Sequence, residues 1–309
     1  MSKLCLLTYC RQNESWTPEL NETATRLHSM LAGDFKVIIC CERPIISVLS
    51  ADYAIEQFVT TGTKFSKLRK ILQEDDSEFI ISIDNDVIVE PQTFYKFIEK
   101  CISVKVDISW AKLSAKNSNT LAAKLVQVDK LLSHNYIRPL LWKIGCGISI
   151  SGQCFLIRRM KFLHVNLPDT FLDDIALGLF INKNCKTLHR IISKEVIAYE
   201  KANTSFSGLL LQRKRWANGY AALLKNAHED FLKILLHGGA YHFNWCLHFF
   251  ILGGLVCFSI FFAVLYIILV SIVICKPNWR LIGYGMIYPF VFSILHIYWG
   301  YNVILALRK

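Results

Sequence analysis

The sequence predicts an α/β protein with a mostly parallel central sheet, followed by a C-terminal transmembrane helical segment. Short apolar runs alternate with helical patterns in the first part of the chain, which is typical of βαβ units. Hydrophobic residues make up 53% of the chain and are concentrated after about residue 243. One buried run ends in Asp84-Asn85-Asp86, and such a position in a parallel sheet faces the crevice where ligands bind.

The predicted elements follow one another in a regular order. Strands are predicted over 4–9, 35–41, 53–59, 79–83, 106–113 and 154–157. Thr17 and Pro18 are an N-cap and a first helical residue, so a helix begins there and runs to about residue 31, before Gly33. Further helices are predicted over 62–73, 91–101 and 119–134, and another begins near Ser205.

The carboxylates of Asp84 and Asp86 form the first candidate site. Mg²⁺ and Mn²⁺ are usually held by one or two carboxylates together with substrate phosphates. The chain contains neither a Gly-x-Gly-x-x-Gly nor a Walker-type loop, so phosphate has to be handled by a metal and by basic side chains. The alternative is a solvated acidic turn.

A glycine-rich segment, 145–152, precedes the strand at 154–157. Glycine allows the backbone to approach a ligand closely, and Gly152 is the last glycine of the segment. An ordinary turn before a strand is an equally good interpretation.

Two adjacent acids, Asp173 and Asp174, stand before an apolar helical pattern. A carboxylate near a second one has a raised pKa and can take a proton from a hydroxyl group, which is the role of a general base. The alternative is structural, because acidic residues at a helix start are favoured by the helix dipole.

The segment Gln212-Arg-Lys-Arg-Trp216 is the sharpest cluster. Arg215 suits a departing diphosphate because guanidinium gives bidentate, permanently charged contacts. Trp216 offers a flat apolar face on which a sugar ring can stack. A basic helix face that touches lipid headgroups is the alternative.

The C-terminal region predicts about two transmembrane helices, near 245–275 and 281–307, neither of which contains Asp, Glu, Lys or Arg. Residues 231–243 predict an interfacial helix. The sequence thus divides into a cytoplasmic catalytic domain, 1–228, and a membrane part, 229–309. The expected location is the cell membrane, as a multi-pass protein whose catalytic domain faces the cytoplasm.

Composition and charge exclude several other classes of protein. The net charge of +11 fits a domain that lies on anionic lipid and handles a nucleotide diphosphate. The chain lacks the basic stripe with interleaved aromatic residues that nucleic-acid-binding proteins use. Without Cys-x-x-Cys pairs, zinc and redox sites are not expected. Spans without Asp, Glu, Lys or Arg make a poor transport path.

The order of these features along the chain resembles that of the family 2 glycosyltransferases. The features are Asp84-Asn-Asp86, Gly152 to Arg159, Leu172-Asp-Asp174, Gln212 to Trp216 and then apolar helices. The resemblance extends to the membrane-bound branch of hyaluronan, chitin and cellulose synthases. It implies a GT-A fold, an inverting mechanism and a nucleotide-sugar donor, usually a UDP-sugar.

The resemblance also implies roles for single residues. Asp84 and Asp86 would bind the donor diphosphate through Mg²⁺ or Mn²⁺, and Asp174 would be the catalytic base. The other residues implied to bind the donor are Lys64, Gln212, Arg215, Trp216 and Glu42, the last standing where the family usually has an aspartate that meets the nucleotide base. Those implied to bind the acceptor are Trp216, Gly152 and Asp173.

The expected activity is therefore transfer of a sugar to a growing surface polysaccharide or glycan. Two alternatives stay open, which are transfer of a single sugar to a lipid acceptor and a non-catalytic regulatory subunit that binds a sugar nucleotide. Two membrane helices cannot enclose a polysaccharide channel, so a homo-oligomer, an export partner or a short product is also expected.

Overall fold

The computed structural model describes residues 2–10, 14, 16–45, 52–116, 119–164, 172–184 and 186–309. The chain forms two compact units, and each is built from two separate stretches of sequence. The sheet unit consists of Met1–Leu113 and Ile150–Lys201, and the helical unit of Ser114–Ser149 and Ala202–Lys309. The division into domains at residue 228 stays a prediction.

One sheet of eight strands runs through the part of the chain that the structure describes. In chain order the strands are β1 (Leu4–Cys10), β2 (Phe35–Cys41), β3 (Ala54–Val59), β4 (Phe79–Ile83), β5 (Val87–Val89), β6 (Ile108–Ala115), β7 (Cys154–Arg158) and β8 (Arg190–Glu200). Their order in the sheet is β3-β2-β1-β4-β7-β6-β8-β5. The first four pair in parallel, whereas β7 is antiparallel to both β4 and β6, and β5 is antiparallel to β8. This confirms the predicted α/β class.

The helices alternate with these strands and then follow them. They are α1 (Pro18–Met30), α2 (Lys64–Glu74), α3 (Pro91–Ser103), α4 (Leu121–Leu132), α5 (Arg138–Lys143), α6 (Arg159–Phe162), α7 (Asp173–Lys183), α8 (Phe206–Lys225), α9 (Phe231–His242), α10 (Asn244–Phe258), α11 (Ile260–Cys275) and α12 (Ile282–Leu307). A π-helical turn, Ser133–Ile137, joins α4 to α5.

Local sequence explains where the first helices begin and end. The Thr17 side chain accepts a hydrogen bond from the Leu20 amide, and the Thr63 side chain caps α2 in the same way. After α1 the chain turns through Gly33, whose φ of +89° is a left-handed conformation that favours glycine. α1 therefore begins at the predicted cap, and α2 begins two residues after the predicted start at residue 62.

Burial fixes β4 at the centre of the sheet unit. Every residue of β4 is buried, and Phe79, Ile81 and Ile83 belong to one hydrophobic core. β4 has parallel β1 on one side and antiparallel β7 on the other. The chain leaves the sheet at Asp84, directly after the last residue of β4, and ligand binding at this edge stays a prediction.

The helical unit is organised around α8 and α12, which pack along each other, with α4 against α12. Leu125, Leu209 and Phe292 come from the three helices and are buried in one core. The basic segment Gln212–Trp216 therefore lies on a helix, α8, that packs against α12.

Among the described residues, one helix, α12 with the turn before it (Trp279–Leu307), is long and apolar enough to cross a membrane. α9 and α10 meet the same test only when taken together, and they are bent by 50°. The expected span near 245–275 is divided at Ser259, whose extended backbone separates α10 from the shorter apolar helix α11. A second span stays a prediction.

Candidate active site

Lys64, the first residue of α2, lies at the centre of a polar cluster in the sheet unit. Its Nζ donates to Oδ1 of Asp84 at 2.6 Å and to the carbonyl oxygen of Gly152. Oδ2 of Asp173 is 3.6 Å from the same nitrogen. The Lys64 side chain is only 20% exposed. Lys64 thus joins three segments that are far apart in the sequence.

The pKa values of Asp84 and Lys64 in this cluster are shifted by burial and by the contact between the two side chains. Burial raises the pKa of Asp84 to about 6, although Lys64 opposes the shift. For Lys64 itself burial lowers the pKa, but Asp84 and Asp173 outweigh that effect and raise it above its ordinary value. Lys64 is therefore charged at neutral pH and serves as counter-ion to the two carboxylates.

Gly152 lies against the start of α7. A Cβ atom built on Gly152 would be 3.0 Å from Cβ of Asp174 and 3.5 Å from Oδ2 of Asp173. Ile150 donates its amide to the Asp174 carbonyl at 3.4 Å. The absence of a side chain at Gly152 therefore lets the glycine-rich segment touch the acid pair.

Glu200 and Gln153 belong to this edge of the sheet and were not found from the sequence. Nε2 of Gln153 donates to Oε2 of Glu200 at 2.6 Å, and the Gln153 carbonyl accepts from the Asp84 amide at 2.9 Å. The surrounding chain desolvates Asp86 and raises its pKa, and Glu200 raises it further. Glu200 ends β8 opposite Val87, and only this strand pairing, which the sequence did not predict, could have revealed it.

The acidic residues of this edge fit a divalent cation that the substrate shares. Asp84 and Asp86 offer carboxylate oxygens, the ligands that Mg²⁺ and Mn²⁺ take together with phosphate oxygens. Within the described ranges, no three His, Cys, Asp or Glu side chains are arranged to hold an ion by themselves. Asp84 and Asp86 could therefore hold a cation whose remaining ligands come from a diphosphate.

The remaining predicted residue of the sheet unit is Glu42, one residue after β2 and half-buried. The residue before it, Cys41, is the last residue of β2, and burial raises the pKa of its thiol. Glu42 lies at the carboxyl end of a parallel strand, as Asp84 does. Its contact with a nucleotide base stays a prediction.

The other predicted residues are on α8, in the helical unit. Gln212 accepts a hydrogen bond from the Asn203 side chain at 3.2 Å. Trp216 is half-buried, and Arg215 is exposed. The buried cation of the segment is Arg213, whose guanidinium carbon lies 4.5 Å from the centre of the Trp216 ring. Sequence reasoning selected Arg215 and missed Arg213, since the residue that faces the bundle depends on packing.

Comparison with known proteins agrees with this fold. The family model described as glycosyl transferase family group 2 matches residues 79–305, which is more than half of the chain. An N-acetylglucosaminyltransferase of Sinorhizobium fredii (strain NBRC 101917 / NGR234) is 25% identical over 158 residues. That match covers 47% of this chain and 38% of the relative, so the chain spans well under half of the relative's length.

Two solved structures are also similar. The mannosyltransferase PcManGT of Pyrobaculum calidifontis, in complex with GDP-Man and Mn²⁺, superposes with a TM-score of 0.56 at 13% identity, covering 99% of this chain and 87% of that one. Glucosyl-3-phosphoglycerate synthase of Mycobacterium tuberculosis, in complex with Mn²⁺, UDP and phosphoglyceric acid, has a TM-score of 0.48 at 13% identity and covers 72% of this chain and 78% of that one. The first likeness shows a shared fold.

Proposed function

Because the chain belongs to glycosyl transferase family group 2, we propose that it is an inverting, membrane-attached glycosyltransferase. It transfers a sugar from a nucleotide donor, a UDP-sugar, to a growing surface polysaccharide or glycan. The observation that carries the proposal is the bridge that Lys64 makes between Asp84 and Asp173, since it joins a donor side and an acceptor side in one cluster.

On the donor side, Asp84 and Asp86 would hold Mg²⁺ or Mn²⁺, which neutralises charge on the diphosphate of the donor. Lys64 stabilises the same region with a fixed positive charge, and Glu42 binds the base of the nucleotide. Gln212 and Arg215 contact the diphosphate, for which a guanidinium group is well suited.

On the acceptor side, Asp174 is the general base, and Trp216, Gly152 and Asp173 bind the acceptor. The acceptor hydroxyl oxygen attacks the anomeric carbon from the face opposite the diphosphate, and Asp174 takes the hydroxyl proton. The new glycosidic bond forms as the bond from the anomeric carbon to the diphosphate breaks, and the nucleoside diphosphate leaves with the electron pair. Attack from the opposite face inverts the anomeric configuration.

A lipid acceptor, a polyprenyl phosphate or a glycolipid, is the second candidate. It is favoured by apolar side chains that α9 and α10 leave exposed, among them Leu232 (63%), Leu247 (64%) and Phe250 (81%). Such a surface suits contact with lipid. Product length separates the candidates, since a ladder of products indicates a polysaccharide and a single added sugar indicates a lipid acceptor.

Membrane attachment is proposed to occur through α12, with the bent pair α9 and α10 as a second membrane element. The arrangement is that of a multi-pass protein whose catalytic part is in the cytoplasm. Arg308 and Lys309 follow α12 and agree with that orientation. An oligomer or an export partner would complete a path for a long product.

The proposal is tested by nucleotide release from membranes that contain the protein. The donors are UDP-glucose, UDP-N-acetylglucosamine, UDP-glucuronate, UDP-galactose and GDP-mannose, each with and without Mn²⁺ or Mg²⁺. We expect metal-dependent release from one UDP-sugar, and loss of release in Asp174→Asn. Binding of a donor without release from any of the five, in the presence of glycan and lipid acceptors, would instead indicate a regulatory subunit.

A further inference from the structure

Arg213 is buried in the middle of the motif on α8, where the sequence pattern points to its neighbours. Its side chain is 4% exposed, and its guanidinium group lies over the Trp216 ring. The ring of Phe292 on α12 is 5.6 Å away from the guanidinium carbon. A planar cation between two aromatic rings is a geometry that arginine adopts and lysine cannot reproduce.

Asp129 of α4 anchors this guanidinium group. Nη2 of Arg213 lies 3.5 Å from Oδ2 of Asp129, and the Tyr288 hydroxyl donates to the other carboxylate oxygen at 2.6 Å. Buried charges are retained in proteins when they are paired. Asp129 pairs with Nη2 of Arg213, whereas the buried Nε has no hydrogen-bond partner among the described residues. Three helices, α4, α8 and α12, thereby determine where the Arg213 guanidinium lies.

The fixed position of Arg213 also affects the Trp216 ring. Arg213 lies over the Trp216 ring, and its ion pair with Asp129 restrains the guanidinium. A side chain with two rotatable bonds that is held on one face has little freedom to turn. The orientation of the ring is therefore set from inside the helical unit.

We propose that Arg213, held by Asp129 and Tyr288, is a positioning residue that orients Trp216 for stacking against the acceptor sugar. This inference rests on the proposed function, in which Trp216 binds the acceptor. Arg213 acts through Trp216 and is not itself a catalytic residue. α12 takes part because Tyr288 and Phe292 both belong to it.

The test is a double-mutant cycle between Arg213→Lys and Trp216→Phe, with Lys214→Ala as the control because Lys214 is an exposed cation on the same helix. In the native background we expect Arg213→Lys to raise the acceptor KM about tenfold and to change the donor KM little. In the Trp216→Phe background the same substitution should have little further effect. Lys214→Ala should match the parent protein.

A second readout does not depend on turnover. The difference in fluorescence between the native protein and Trp216→Phe isolates the emission of Trp216, and acrylamide quenching of that difference reports how freely the ring is exposed. We expect stronger quenching in Arg213→Lys, and the same direction in Asp129→Asn and Tyr288→Phe.

The outcomes separate the two proposals. If Trp216→Phe leaves the acceptor KM unchanged, Trp216 does not bind the acceptor and the proposed role of this side chain is wrong. If Trp216→Phe raises the acceptor KM but Arg213→Lys has an equal, independent effect in both backgrounds with unchanged quenching, the positioning inference is overturned. Equal losses in donor and acceptor binding with a lower Tm would also overturn it, because they indicate a merely structural role.

Discussion

Nζ of Lys64 lies 2.6 Å from Oδ1 of Asp84, so a lysine from the start of a helix neutralises the acid at the end of the central strand. The same nitrogen reaches the Gly152 carbonyl and approaches Asp173. The contact with Gly152 links Lys64 to a segment that lies 88 residues further along the chain.

Replacing Lys64 with methionine should lower activity by roughly a hundredfold, because Asp84 and Asp173 lose their shared counter-ion and repel each other. The measurement is nucleotide release at saturating donor. Lys70→Met is the matched control, since Lys70 is an exposed lysine on the same helix and its amine donates to the Thr60 hydroxyl. Equal activity in both variants would show that the bridge has no part in turnover.

Asp174→Asn should reduce transfer by about a thousandfold while donor binding stays intact, because an amide cannot accept the acceptor proton. Transfer is measured by product formation and donor binding by calorimetry. Asp173→Asn separates the two acids, and it should weaken acceptor binding more than it lowers the maximal rate. Full activity in Asp174→Asn would remove this residue from the role of base.

Gly152→Ala should lower activity more than stability. The new methyl carbon would lie 3.0 Å from Cβ of Asp174, so the start of α7 has to shift, at a cost of about 1–2 kcal/mol. Activity should fall more steeply because the acid pair moves with the helix. Gly239→Ala is a control with open space around the added methyl group. A variant with native rates would show that the acid pair tolerates displacement.

Asp84→Asn and Asp86→Asn should each raise the Mn²⁺ concentration needed for half-maximal nucleotide release by at least about tenfold. Each substitution removes one anionic ligand, and the phosphates of the donor cannot replace it. The measurement is a Mn²⁺ titration of nucleotide release at a fixed donor concentration. Asp76→Asn serves as the comparison, because Asp76 is an exposed acid paired with Lys36, away from this edge. An unchanged titration in both site variants would exclude these carboxylates as ligands.

β1, β2 and β4 could be predicted because each is a short, buried and mostly apolar run. β8 escaped prediction, since Lys194 and Glu195 interrupt its apolar residues and its pairing partners are distant in sequence. With β8 unknown, Glu200 could not be placed beside Asp86. Residues of the site that stand on strand ends were thus accessible to sequence reasoning, and residues brought there by pairing were not.

Sequence reasoning was limited in the same way for the basic segment Gln212–Trp216. Arg213 and Arg215 are two residues apart, and their chemistry alone gives no reason to choose between them. Only the positions of Asp129 and Tyr288 show that Arg213 faces inward. The Lys64 bridge is comparable, because a lysine on the helix was expected but its three partners depend on the tertiary fold.

The helical unit is assembled from two stretches that are translated at different times. α4 is made long before α11 and α12, yet its buried side chains, among them Leu125 and Val128, belong to a core that those later helices share. During synthesis this apolar surface has no native partner, and such intermediates are prone to aggregate. The helical unit can close only after α12 has emerged from the ribosome. Removing the last helix would therefore leave the nascent chain with an open core and make it a substrate for chaperones or proteases.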